Sequence, residues 1–203
     1  MSRGRTFVGV FVAIALAAAG VQAGDVTRQQ ADSFAKKVAI IAQRGTAPTP
    51  IPRPAPARTI VSETEVNSWF TYRAQEHIPK GVTQPKVTII GNGRVMGLAT
   101  VDLDAVSKER SSGSGFDLWN LVGGKVPVAV TGVLETKSGR GRFDLQSATF
   151  GGVPVPKVLL QELVSYYSRT ADHPEGVRLD TPFDLPAKIQ QIEVGAGQAV
   201  VVQ

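Results

Sequence analysis

The chain has 203 residues, 22 of them Lys or Arg against 17 Asp or Glu, with 42% apolar residues and no cysteine. The lack of thiols excludes disulfide staples, thiol catalysis, iron–sulfur clusters and thiolate zinc sites. Without Arg3 and Arg5 the net charge falls from +5 to +3, too mild for a nucleic-acid binder, which concentrates basic residues and aromatics on one stripe.

Residues 1–23 read as an export signal. Arg3 and Arg5 form a positive n-region, and Phe7 to Ala19 is an uncharged apolar run. Val21-Gln22-Ala23 then puts small residues at the minus-three and minus-one positions, so cleavage after Ala23 is expected. The apolar run is shorter than the ~20 residues of a membrane span. The remaining chain of about 180 residues is long enough for one domain with a core. It is expected in the periplasm or secreted.

Val26 to Arg44 reads as a helix, because Ala31, Phe34, Val38 and Ile41 recur at three- and four-residue steps. Residues 46–57 carry Pro48, Pro50, Pro52, Pro54 and Pro56. Proline fixes φ and removes the amide donor, so this is an extended linker: a partner-docking strap or a plain spacer. The expected organisation is an N-terminal helix at 24–45, a Pro-rich linker at 46–57 and a single α+β domain at 58–203.

Ser62-Glu63-Thr64-Glu65 is a capping box. Val66, Trp69, Phe70, Ala74 and His77 continue at helical spacing, and Pro79-Lys80-Gly81 stops the helix. Val87 to Gly91 and Arg94 to Val106 flank Asn92-Gly93, a strong hairpin signal because both central residues need positive φ. The second strand alternates, with Val95, Gly97, Ala99, Val101, Leu103 and Ala105 on one face. Residues 107–118 are charged and then Ser/Gly-rich, a loop that would serve as a lid. Lys125 to Thr136 and Arg142 to Phe150 form a second hairpin. Lys157 to Ser168 reads as a helix with Leu159, Leu160, Leu163, Val164 and Tyr167 as its stripe. Strands at about Lys188 to Val194 and Gln198 to Val202 close the chain. Consecutive antiparallel strands with few helices mean α+β, a curved antiparallel sheet with two helices on its concave face. The inner strand faces carry small residues, while Trp69, Phe70, Leu163 and Tyr167 sit on helices. That leaves volume for helix side chains or for a guest.

Catalytic signals are sparse. His77 and His173 are the two histidines, and neither lies in a triad or metal pattern. Asp102 and Asp104 share a strand face, which suits acid–base work or calcium, but alternation alone puts polar residues there. Gly91-Asn92-Gly93-Arg94-Val95-Met96-Gly97 lacks the following helix of a dinucleotide loop. Lys137, Arg140 and Arg142, among flexible glycines, could meet an anionic headgroup or simply be a charged turn. No catalytic residue, metal or cofactor is expected. A hydrolase would need Asp102, Asp104 and a histidine buried together.

Three segments share a further pattern. Ser62-Glu63-Thr64-Glu65-Val66-Asn67 opens a helix as Ser-Glu-x-Glu-apolar-Asn. Val87 to Val106 is a hairpin with a Gly-x-Gly-Arg turn. Phe183-Asp184-Leu185-Pro186-Ala187-Lys188-Ile189 supplies Leu-Pro-x-x-Ile before a strand, a turn and a last strand. Over roughly residues 58–203 the chain resembles the small single-domain bacterial exported members of the tubular lipid-binding (TULIP-like) group. The proline-rich stretch lies outside that pattern. The resemblance implies a helix-grip half-barrel, a curved antiparallel sheet wrapped around one long helix with a second helix, and an acyl-chain groove lined by Val66, Trp69 and Phe70. Leu159, Leu163 and Tyr167 are added from the helix stripe alone. Such proteins bind or shuttle lipids without a catalytic residue. The expected function is therefore an exported, non-enzymatic binder or carrier of a lipid or other amphipathic molecule, with transient membrane-surface contact and no nucleic-acid partner. The alternative is a cell-envelope structural or interaction module with a self-filled core, which docks an envelope protein through the Pro-rich segment or an exposed sheet edge.

Overall fold

A computed structural model describes residues 24–48, 55–76, 78, 81–102, 124–167, 175, 178 and 181–203, with backbone alone at 163, 164, 166 and 167. The order is α1 (Arg28–Thr46), β1 (Arg58–Ser62), α2 (Glu63–Tyr72), β2 (Val82–Gly91), β3 (Arg94–Asp102), β4 (Lys125–Lys137), β5 (Arg140–Phe150), β6 (Val153–Pro154), α3 (Lys157–Tyr167), β7 (Phe183–Asp184), β8 (Gln191–Gly195) and β9 (Gln198–Val202). The class is α+β, as expected, with a curved, open, antiparallel sheet and few helices.

The larger sheet runs β2-β3-β4-β5-β6, with β7 also paired to β5. Its register turns the alternation into one apolar face. Val95, Gly97, Ala99 and Val101 stand opposite Gly132, Val130, Val128 and Val126. These in turn stand opposite Leu145, Ala148 and Phe150 where β5 pairs. Bulges between Thr131 and Gly132 and at two places in β2 bend the ribbon. Both hairpins turn through left-handed residues, Asn92-Gly93 at φ 53° and 78° and Ser138-Gly139 at 51° and 79°.

Gly132 has a packing reason as well. A Cβ there would strike the Phe143 ring and stand 2.6 Å from the Asp144 carbonyl oxygen. Gly132→Ala is expected to cost about 2 kcal/mol through overpacking, readable as a shifted urea midpoint at constant slope.

The smaller sheet, β1-β9-β8, pairs the start of the chain's second segment with its end. Arg58 stands opposite Val202 and Ser62 opposite Gln198. Ile41 from α1 packs here with Leu185, Ile189 and Val201. The two sheets are stitched at a corner. The Gly93 amide donates to Val194 O, the Gly197 amide to Ile89 O and the Gly139 amide to Gln190 O. The Thr136 hydroxyl both donates to Ile192 O and accepts from its amide.

Several boundaries differ from expectation. The second helix ends at Tyr72 instead of reaching His77, which lies outside the described residues. Its last turn loosens because the amides of Arg73 and Ala74 share one acceptor, Trp69 O. Arg73 is also drawn to Asp32 of α1, its Nε 2.6 Å from Oδ1. Strand β2 begins at Val82 rather than Val87, its early half hidden from pattern reading by Gln84 at φ 52° and by Pro85. Strand β8 starts at Gln191, since Ala187 and Lys188 take positive φ. Strands β1, β6 and β7 were not expected at all. Leu103 to Val106, the lid loop at 107–118, Pro50, Pro52 and Pro54, and His173 lie outside the described residues.

Candidate functional site

The site grows from the first turns of α2. The capping box forms as the spacing requires: the Glu65 amide donates to Ser62 Oγ at 3.1 Å, and the Ser62 amide donates to the Glu65 carboxylate at 2.9 Å. That fixes which residues of α2 face β2. Glu63 and Asn67 are one turn apart and so share a helix face. Asn67 accepts from the Val87 amide and donates to the Val87 carbonyl, both at 2.8 Å. Glu63 Oε2 accepts from the Ile89 amide at 2.7 Å. Two side chains thus substitute for a neighbouring strand along the free edge of β2, and Pro85 removes a donor further down.

Helix and strand are held together at Val87 and Ile89, and further along β2 its register shifts between Thr83 and Lys86, with Gln84 at φ 52°. An open groove of about 870 Å³ is lined by Asn67, Phe70 and Thr71 of α2 and by Val82, Pro85 and Lys86 of β2. Gly24, Glu63 and Thr64 line it too. Phe70, Pro85 and Lys86 also border an apolar recess of about 220 Å³, floored by Val87, Gly97, Ala99, Val128 and Val130. At Gly97 an added Cβ would meet nothing within 4 Å. The groove thus carries a lysine, hydroxyls and an amide, and the adjoining recess small aliphatic groups, with Phe70, Pro85 and Lys86 bordering both.

Removing the clamp has a defined cost. Asn67 is 7% exposed, and Asn67→Ala strips both partners from Val87. We expect a loss of about 2 kcal/mol in chemical denaturation, with faster amide exchange at Val87 than in the hairpin partner Gly97.

The other sequence-predicted residues divide. Phe70 lines groove and recess. Trp69 turns to α1, its ring edge-on to Phe34 at 5.7 Å, and packs on Phe70 at 5.6 Å. Val66 is half-buried, and neither it nor Trp69 lines the groove. On α3, Leu159 is half-buried, and Leu160 is the residue packed on Ala148. The side chains of Leu163 and Tyr167 lie outside the described residues. Lys137, Arg140 and Arg142 sit at the β4–β5 turn, with Lys137 opposite Arg140 and Arg142 opposite Glu135. At ~3.3 Å per residue this turn is roughly 20 Å along β4 from Val130. The structure does not bring these cations to the groove; among the described residues the cation lining it is Lys86. Asp102 ends β3 opposite Lys125, and Asp104 lies outside the described residues.

Sequence reading passed over Asn67 as a clamp, Gly97 as open floor and Lys86 as a wall cation. The available signal was a polar pair one turn apart, Glu63 and Asn67, on a helix that had to bury a face. Among the described residues no group of three His, Asp or Glu side chains converges as metal ligands do. Comparison with family models, curated proteins and solved structures finds no match.

Proposed function

We propose that this protein is an exported, non-enzymatic binder or carrier of a lipid or other amphipathic molecule, periplasmic or secreted after cleavage behind Ala23. The apolar part of the ligand lies along Phe70 towards Gly97, and its polar end stays in the groove near Lys86. In this reading the fold is a tubular lipid-binding half-barrel with α2 gripped by the sheet. The observation that carries it is a groove of about 870 Å³ with polar and apolar lining, adjoined across Phe70, Pro85 and Lys86 by an apolar recess with unfilled space over Gly97. Ligand pockets fall in this size range and combine apolar walls with a few placed polar groups.

One observation favours the alternative, a cell-envelope interaction module. Trp69, the largest side chain of α2, closes on Phe34 of α1 instead of facing the groove. Native mass spectrometry with lipid extraction, on protein purified from its exported location without detergent, separates the two. A co-purifying amphiphile at near-stoichiometric occupancy is expected. An empty protein that also takes up no fluorescent fatty acid or phospholipid supports the module.

A further inference from the structure

We propose that the α-amino group freed at Gly24 by cleavage after Ala23 is a built part of the groove, the anchor for the anionic headgroup of its amphiphile. The proposal rests on the binder reading above and names the ligand's polar end. Gly24 lines the groove beside Glu63 and Thr64, and a Cβ on it would lie 3.3 Å from Thr64 Oγ1. Its place is held by a short leash. Only Asp25 and Val26 separate it from Thr27, whose amide donates to Ser68 Oγ at 3.2 Å. Ser68 is fully buried, and Thr27 also caps α1 by accepting from the Gln30 amide.

Cleavage changes the chemistry at this point. A signal peptidase adds water across the Ala23–Gly24 bond, leaving the new carboxylate on the released peptide and an amine on Gly24. An α-amine is mostly protonated at neutral pH, so a neutral amide becomes a cation with three donors. Glycine leaves that cation unshielded by a side chain. The carboxylate of Glu63, which lines the groove too and accepts from the Ile89 amide, competes with the headgroup for this cation, and that of Asp25 is on an exposed residue. Lys86 supplies a second cation along the same groove. A carboxylate or phosphate is held by the Gly24 ammonium and Lys86, which line one groove, with its hydrocarbon tail running past Phe70 to the recess.

The test uses the exported chain, sequenced from its N-terminus. It is titrated with a fluorescent fatty acid and with the matched fatty alcohol, before and after selective acetylation of the α-amine. We expect a chain that starts at Gly24. Acetylation should weaken the fatty acid about ten-fold, the loss of one charge-assisted hydrogen bond, and leave the alcohol unchanged. A mature chain that starts elsewhere overturns the proposal. So does acetylation that affects neither probe, or both equally, while binding itself persists. If neither probe binds either form, the binder reading fails and takes this proposal with it.

Discussion

Gly97→Phe is expected to weaken amphiphile uptake strongly while leaving the protein folded. Gly97 sits mid-strand, opposite Val87 on one side and Val130 on the other. Its φ is not in the left-handed region, so an L side chain meets no backbone strain there. Its Cβ would point into open space, towards the recess that Phe70 borders. An aromatic ring at this position occupies the volume that the reading assigns to an apolar tail. Strand propensity also favours phenylalanine over glycine, so the thermal midpoint should hold or rise. The expected loss is at least about thirty-fold in affinity for a fluorescent fatty acid, some 2 kcal/mol of displaced apolar burial. Undiminished uptake by the folded variant would place the ligand somewhere other than this recess.

The second large effect is at Glu65, which holds α1 to α2. Glu65 is 4% exposed. It accepts from the Ser33 hydroxyl at 2.5 Å, from Lys37 Nζ at 2.7 Å and from the Ser62 amide at 2.9 Å. Burial pushes the carboxyl up, but the bonds from Lys37, Ser33 and Ser62, together with the Lys37 charge, outweigh it and hold the group below the usual carboxylate range. Glu65→Ala removes a helix cap and an interhelical ion pair together. Because the Lys37 side chain is 31% exposed, its freed ammonium can reach water, and the expected cost is about 3 kcal/mol, the low end for a broken buried pair.

The pH dependence follows from the sign of the shift. A carboxyl depressed in the folded state adds stability in full above its unfolded value, about 4.3. That contribution fades as pH falls through the lower folded value. Wild type and Glu65→Gln should therefore differ most at neutral pH and converge in acid. Amides of α1 should exchange faster in the variant at neutral pH. A gap that stays constant down to pH 2 would show that the charge on Glu65 contributes nothing to docking α1.

Other contacts show why α1 needs more than that one latch. Gly45 lies so close to Ala187 that a Cβ would stand 2.5 Å from its Cα. Gln203 donates from Nε2 to both Ile41 O and Ala187 O. The helix before the proline-rich stretch is thus fastened at one end by α2 and at the other by Gln203.

By itself the sequence determined what depends on near neighbours and on allowed backbone angles. Ser62 and Glu65 could be read as a capping box because both partners lie within one turn. Asn92-Gly93 marked a hairpin because few residue pairs tolerate two positive φ values. Strict alternation put Val95, Gly97, Ala99 and Val101 on one face because strand side chains repeat every second residue. The tertiary structure alone decided what those elements meet. Whether Glu65 stops at capping α2 or also binds Ser33 and Lys37 depends on where α1 docks. Whether Asn67 is a solvated helix residue or a surrogate strand depends on the edge of β2 lying beside it. Strand β1 exists because Arg58–Ser62 finds Gln198–Val202 at the far end of the chain, a pairing that no local pattern contains. The groove is the furthest from sequence of all, since Gly24, α2 and β2 line it together and only the tertiary structure brings them there. Short-range rules fix the shape of each element, whereas an empty volume is a property of how distant elements fail to touch.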